Sequence, residues 1–221
     1  MGIYFGHIMN WWFISVLIGA VSFPISFVLF RKSHDKGYMF SKAIGIFLIS
    51  YFSWLFGHFI FSTISIIAVA ALLTALSVYI FVKERKEILE FLGNKIALVI
   101  IAELFYLLIF LVYALFRMYQ PDIIGTEKFM DFAFMNSISK ADKMPPYDPW
   151  MFGKGLHISY YYFGYVMMAI MFKLTGIPNG VGFNLALTYI VAMSALTMVG
   201  LLYNLTKNYV IGFLAAAFLL L

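Results

Sequence analysis

Apolar residues fall into seven long runs along this chain, separated by short polar or charged segments. The runs cover residues 10–30, 43–61, 64–82, 96–119, 157–173, 181–203 and 209–221. A helix that crosses a bilayer needs about 17–25 mostly apolar residues, and most of the runs meet that length. Only Ser62 and Thr63 separate the second run from the third, but together these runs are too long for one crossing. The pattern predicts an all-α polytopic membrane protein with about seven transmembrane helices.

Composition supports the same fold class. Hydrophobic residues make up 64% of the chain and charged residues 11%, whereas soluble domains carry about 25% charged residues. The chain has too little polar surface to cover itself in water, so a soluble domain is excluded. There is no cysteine, which excludes disulfides, zinc knuckles and thiol catalysis. The last run is short and lacks a polar flank, so we expect the chain to end inside a helix of a longer protein.

The basic residues lie near the ends of the apolar runs, as expected for membrane topology rather than for nucleic-acid binding. With the N-terminus outside, nine fall on the cytoplasmic side, namely Arg31, Lys32, Lys36, Lys42, Lys83, Arg85, Lys86, Lys95 and Lys173. Six fall outside, namely Arg117, Lys128, Lys140, Lys143, Lys154 and Lys207. This asymmetry predicts an integral protein of the cell membrane whose N-terminus and 120–156 loop are non-cytoplasmic.

The 120–156 loop connects the fourth and fifth runs and differs from the rest of the chain. It carries five of the ten acidic residues and four of the six prolines. A loop of this length is usually functional or disordered, and its aromatic residues argue against disorder. We expect it to be partly helical. We divide the chain before the fourth run, into residues 1–95 with the first three helices and residues 96–221 with the fourth helix, the 120–156 loop and the three later helices.

Glu127 and Asp131 are the strongest candidates for chemistry in the loop. A spacing of four places both on one face of a short helix, with Phe134 and Ile138 on the same face. Thr126 is the predicted N-cap of this helix. Carboxylates beside an apolar surface suit a proton acceptor. The alternative is that Glu127 stabilises the helix N-terminus and Asp131 faces water.

Two aromatic segments follow in the chain. Pro145–Trp150 is a rigid turn, in which Asp148 and Trp150 form either a carbohydrate or headgroup site or a structural corner. Tyr160, Tyr161 and Tyr162 form either part of an interfacial aromatic belt or, through at least one phenol, a substrate contact.

Polar residues inside the apolar runs have either structural or functional interpretations. Glu103 lies in the fourth run. An acid at this depth either has a function, pairs with a neighbouring polar helix or extends towards the interface. Asn184 and Thr188 are predicted to hydrogen-bond between helices. The histidines lack the spacing of metal ligands, so no metal site is predicted from them.

Several ordered motifs resemble the YYY membrane-protein domain, an archaeal and bacterial family of unknown function named for its three tyrosines. The motifs are residues Gly125–Asn136, Pro145–Trp150, His157–Gly164, Leu174–Pro178 and Phe183–Ala186. The resemblance covers roughly residues 117–200. Phe129 stands where the family usually has proline, a departure that spares both acids.

The resembled family is similar in layout to the GT-C membrane glycosyltransferases, in which a catalytic acid lies on an outer loop. The resemblance implies an enzyme that uses a polyprenyl-phosphate-linked sugar, with Asp131 as base and Glu127 assisting it or binding a divalent cation. Membrane lipid and a lipid-linked sugar would be its partners, and Lys154 or His157 would neutralise the phosphate. A non-catalytic lipid- or glycan-binding scaffold and a polytopic transporter remain as alternatives.

Overall fold

A computed structural model describes residues 2–151 and 155–221, and this part of the chain is helical almost throughout. Its α-helices are α1 (Gly2–Leu29), α2 (Ser41–Gly57), α3 (Thr63–Lys83), α4 (Arg85–Asn94), α5 (Ile96–Tyr119), α6 (Lys128–Lys140), α7 (Phe163–Thr175), α8 (Asn179–Thr206) and α9 (Tyr209–Leu220). A 3₁₀ turn at Tyr38–Phe40 precedes α2. Within the described residues there is no strand, only an isolated bridge between Tyr147 and His157. The predicted all-α class is confirmed.

Five helical segments in the described residues are long and apolar enough to cross a membrane. They are Tyr4–Leu29, Tyr38–Gly57, Thr63–Lys83, Ile96–Tyr119 and Asn179–Thr206. The predicted fifth and seventh runs instead form α7 and α9, with 13 and 12 residues, below the length of about 17 that a crossing requires. Seven crossings are therefore not confirmed.

Local sequence explains the joint between α2 and α3. Ser62 caps α3, because its hydroxyl accepts from the Ser65 amide at 3.1 Å while the Ser65 hydroxyl accepts from the Ser62 amide at 2.9 Å. Gly45 packs against α1, where an added Cβ would clash with Ser22 and Ile18. Small residues at such positions let two membrane helices approach closely. The division of these two runs into separate helices, predicted from their length, is confirmed.

Side-chain contacts define two opposite ends of the bundle. At the basic end, Arg31 pairs with Glu84 at 2.6 Å, and the Asn204 side chain accepts from the backbone amides of His34 and Asp35. At the loop end, residues 57–61 bond to the 120–156 loop through two backbone hydrogen bonds, Phe61 to Asp142 and Met144 to Gly57. The start of α1 also lies at the loop end, because Tyr4 and Ile8 line a cavity there with residues 117–123.

Helix α7 begins and ends at the loop end. Near its start, Tyr162 accepts a hydrogen bond from Trp54, three residues before the end of α2. At its end, the Thr175 carbonyl accepts from Asn10, and Asn179 donates to Asn136 in α6. The helix is nonetheless buried, with Val166 and residues 168–172 in the core. Because both ends of this single helix contact the loop end, α7 lies across that end of the bundle and does not reach the basic end.

This path of α7 corrects the predicted sides of two basic residues. Lys173 lies over the Phe61 ring at 5.5 Å, at the loop end, rather than with the cytoplasmic loops. Lys207 ends α8 beside Asn204 and belongs to the basic end, rather than to the outside. The two changes offset each other. Among the described residues the basic end has nine lysines and arginines and the loop end five, and Lys154 lies outside the described residues. The charge asymmetry that motivated the predicted orientation is unchanged.

Two helix boundaries also differ from prediction. The fifth run was expected to be helical from residue 157, but α7 begins only at Phe163, so Tyr160–Tyr162 lie in an irregular segment before it. The expected cap at Thr126 is wrong, because Thr126 has a φ of 41° and Glu127 occupies the N-cap position. The division of the chain at residue 95 stays a prediction.

Candidate functional site

Asp131 lies in the first turn of α6 and faces α7. Its Oδ1 accepts a hydrogen bond from the Tyr165 hydroxyl at 2.6 Å. The predicted apolar face is present, since Phe134 and Ile138 are buried on the same side of α6. Phe134 also packs against the Tyr165 ring, with ring centroids 5.7 Å apart. Asp131 is therefore half-buried and held in one orientation by a neutral donor.

Glu127 precedes α6 by one residue and is exposed. Its carbonyl accepts from the Asp131 amide at 2.9 Å, so the two acids are one helical turn apart, as predicted. No side-chain hydrogen bond caps the helix at Glu127. The carboxylate is free to turn towards a ligand at the edge of the site.

Tyr160 and Tyr161 form a stacked pair beside this acidic turn. Their ring centroids are 3.9 Å apart, and the Tyr160 hydroxyl donates to that of Tyr161 at 2.5 Å. This hydrogen bond, with smaller contributions from desolvation and from the nearby Tyr161, Glu127 and Asp131, raises the pKa of Tyr160 to about 12. Tyr160 therefore stays protonated at neutral pH. Because its single hydroxyl proton is donated to Tyr161, the Tyr161 hydroxyl is the one that can donate to a ligand.

Tyr162 turns away from this pair towards α2. Its hydroxyl accepts from the Trp54 indole at 3.0 Å. An open groove of about 540 Å³ lies between the tyrosine run and α2. The residues that line it are Phe47, Tyr51, Trp54, Tyr160, Tyr161, Tyr162, Phe163 and Gly164. The aromatic groove, as we call this set, lies between the residues that follow the 120–156 loop and the membrane-length helix α2.

Residues 146–148 pair with residues 156–158 as a short hairpin next to the other end of α6. Asp148 Oδ1 accepts from the Trp150 amide at 2.9 Å, so Asp148 caps the turn. Tyr147 stacks on His157 with ring centroids 5.0 Å apart, and its carbonyl accepts from Ser137 in α6. Trp150 is 63% exposed.

The hairpin and the acidic turn are separate in the part of the chain that the structure describes. No hydrogen bond, ion pair or aromatic contact there joins Asp148, Trp150 or His157 to Asp131. The predicted phosphate ligand Lys154 lies outside the described residues. The structure thus groups Asp131, Glu127, Tyr160 and Tyr161, and leaves Asp148, Trp150 and His157 on a neighbouring surface.

Within residues 2–151 and 155–221, no group of three or more histidine, aspartate or glutamate residues is arranged to hold a metal ion. Glu127 and Asp131 alone supply two carboxylates, fewer ligands than a divalent cation usually takes from protein and water together. A cation at this position would need oxygens from a substrate.

Three residues of the site were not predicted from the sequence. Tyr165 binds Asp131, while Trp54 and Tyr51 form the α2 wall of the aromatic groove. Tyr165 stands 34 residues from Asp131 inside an apolar run, where a tyrosine is ordinary. No spacing rule connects residues so distant, so only the fold brings them together.

Comparison with known proteins identifies one family. The family model described as Uncharacterized membrane protein (DUF2298) matches residues 48–221, which include α3 to α9 and the whole 120–156 loop. No curated protein and no solved structure matches the chain.

Proposed function

The chain belongs to this family of uncharacterized membrane proteins, and from that premise we propose that it is a GT-C-type glycosyltransferase using a polyprenyl-phosphate-linked sugar. Asp131 would be the base, and the outer loop would form the active site. The observation that carries the proposal is the Asp131 carboxylate, held by Tyr165 at 2.6 Å, close to the aromatic groove.

The groove suits a lipid-linked sugar in two ways. Aromatic rings offer flat apolar surfaces with polar edges. The exposed Tyr161 hydroxyl can donate to a sugar oxygen, and the Tyr160 hydroxyl, whose proton goes to Tyr161, can accept from a sugar hydroxyl. The α2 wall, formed by Phe47, Tyr51 and Trp54, belongs to a membrane-length helix. A donor that diffuses in the bilayer would therefore present its headgroup at the height of the groove.

The transfer needs one base. Asp131 would take the proton from an acceptor hydroxyl, whose oxygen attacks the anomeric carbon as the bond from that carbon to the phosphate oxygen breaks. The polyprenyl phosphate leaves with the bonding electrons and requires little acid assistance. Attack opposite the leaving group inverts the anomeric centre. The Tyr165 hydrogen bond would fix the direction of the second carboxylate oxygen.

A non-catalytic scaffold is the second candidate, because the aromatic groove could bind a lipid-linked glycan without help from Asp131. Transport ranks behind both. A transporter site is usually built from broken helices near the middle of the membrane. The acidic turn of this chain lies instead on the 120–156 loop, and Glu103, inside the bundle, is paired with Lys42.

A transfer assay separates these functions. The full chain, purified in a neutral detergent, is incubated with radiolabelled polyprenyl-phosphate sugars and a membrane extract as acceptor source. We expect label to move to an acceptor. Gly164→Trp should reduce the rate about 100-fold, because the new ring fills the groove and displaces the donor from the base.

Gly6→Trp on α1 is the matched control. Neither Gly6 nor Gly164 has any atom within 4 Å of an added Cβ, but only Gly164 lines the groove. Gly6→Trp should keep the parental rate. Donor that binds to the parent chain but is never transferred would contradict the enzyme and favour the scaffold.

A further inference from the structure

A second cavity lies at the loop end, between α1, α5 and α8. Its volume is about 710 Å³, which falls within the roughly 300–1,000 Å³ typical of small-molecule sites. Apolar side chains supply most of its wall, among them Ile8, Met118, Val181 and Leu185. None of its lining residues belongs to the aromatic groove.

Arg117 places a positive charge in this apolar wall. Its Nε donates to the Asn184 side-chain oxygen at 2.7 Å, and the Asn184 amide donates to the Pro121 carbonyl at 3.0 Å. These bonds fix the guanidinium but do not neutralise it. Within the described residues the ion pairs are Arg31–Glu84 and Lys42–Glu103, so Arg117 has no carboxylate within 4.0 Å.

Asp122 lines the same cavity with the opposite charge. Its backbone carbonyl accepts from Arg117 at 3.4 Å, but its carboxylate forms no ion pair with that guanidinium. Asp122 is exposed, whereas Arg117 is half-buried. The cavity therefore presents a fixed cation and a separate anion beside an apolar wall.

We propose that this cavity binds a zwitterionic phospholipid with an amine in its headgroup, of the phosphatidylethanolamine type. The lipid phosphate would accept from Arg117, and its ammonium would donate to Asp122. Part of an acyl chain would cover the apolar wall. The position is suitable, because the exposed rings of Phe116 and Tyr119 flank Arg117 near the end of a membrane-length helix, where aromatic residues mark the interface.

The opposite charges give the lipid a chemical signature. A purely anionic lipid such as phosphatidylglycerol would gain from Arg117 but would be repelled by Asp122. A neutral amphiphile such as diacylglycerol would gain from neither charge. Affinity should therefore follow the order phosphatidylethanolamine, then phosphatidylglycerol, then diacylglycerol.

Native mass spectrometry of the full chain measures this order. Protein in neutral detergent is titrated separately with palmitoyl-oleoyl phosphatidylethanolamine, phosphatidylglycerol and diacylglycerol, and the bound fraction is followed. Arg117→Gln should lower the affinity for both phospholipids about tenfold, which is the effect of losing one charge-assisted hydrogen bond. Asp122→Asn should lower the affinity for phosphatidylethanolamine about threefold and raise the affinity for phosphatidylglycerol, as expected for a partly screened charge.

A cavity-filling variant guards against misfolding of Arg117→Gln. Gly180 lines the cavity, and an added Cβ there meets no atom within 4 Å, so Gly180→Trp fills the space while sparing the Arg117–Asn184 bond. It should reduce binding of both phospholipids, and Gly6→Trp should not. Unchanged binding in Gly180→Trp, or stronger phosphatidylethanolamine binding in Asp122→Asn, would overturn the proposal.

The lipid site does not depend on the glycosyltransferase proposal. Gly164→Trp fills only the aromatic groove and should leave phospholipid binding unchanged. If the chain shows no transferase activity but still binds the lipids in the charge-dependent order, the glycosyltransferase proposal is refuted and the lipid-site proposal stands.

Discussion

Glu103 and Lys42 form an ion pair inside the helical bundle, joining α5 to α2. The Lys42 side chain is 2% exposed and that of Glu103 25% exposed. Tyr38 adds a hydrogen bond to the same Glu103 oxygen at 2.9 Å, and the Lys42 ammonium lies 5.0 Å from the centre of the Tyr106 ring. Of the interpretations open from sequence, the structure supports structural pairing of Glu103 with a neighbouring helix.

Removing only the lysine of this ion pair should lower the free energy of unfolding more than removing both charges. Lys42→Met leaves a buried carboxylate without its counter-charge, so we expect the free energy of unfolding to fall by roughly 3–5 kcal/mol. Lys42→Met combined with Glu103→Gln should recover most of the loss, since no buried charge is left over. Chemical denaturation of the parent, the two single variants and the double variant in one detergent gives the comparison. A double variant less stable than Lys42→Met would show that the pair is not the source of the effect.

Sequence spacing predicts contacts within a helix better than contacts between helices. The four-residue separation of Glu127 and Asp131 correctly placed both acids one turn apart, with Phe134 on the buried face. It could not identify Tyr165, because the approach of α7 to α6 depends on how the intervening hairpin folds. Asn184 was correctly expected to bond between helices, through Arg117, whereas Thr188 bonds within α8.

Two helices show what hydropathy can and cannot predict. Helix α4 is short and amphipathic, and its Ile88 and Phe91 pack against Phe23 and Phe27 of α1. It was not predicted, because its apolar residues are too few to form a run. Helix α7 was predicted as a crossing because it is apolar throughout. A helix surrounded by protein has that composition whether or not it crosses the membrane.

Cysteine labelling tests the path of α7. The parent has no cysteine, so each introduced cysteine is the only thiol in these 221 residues. Lys173→Cys should react with a membrane-impermeant maleimide from the same side as Lys140→Cys, because both positions lie at the loop end. Lys207→Cys should react from the opposite side, together with Lys32→Cys at the basic end. Reaction of Lys173→Cys from the side of Lys32→Cys would mean that α7 crosses the membrane.

At the scale of the whole molecule, the two ends of the bundle differ in charge and in shape. The basic end carries nine of the fifteen lysines and arginines, which favours a cytoplasmic position. The loop end carries the acidic turn, the aromatic groove and the lipid cavity. On this basis we propose that sugar transfer takes place on the non-cytoplasmic side. Hydropathy predicted the membrane fold, but it could not reveal that both ends of α7 lie at the loop end and that α7 forms part of the site.

The most direct test of the proposed function is the rate of sugar transfer by Asp131→Asn. The amide oxygen can still accept from Tyr165, so the fold is retained while the basicity is lost. Transfer from a radiolabelled polyprenyl-phosphate sugar should fall about 10²–10⁴-fold, the usual contribution of a general base. Asp142→Asn, which removes an exposed carboxylate of the same loop, is the matched control and should keep the parental rate. Parental turnover by Asp131→Asn would contradict the assignment of Asp131 as the base.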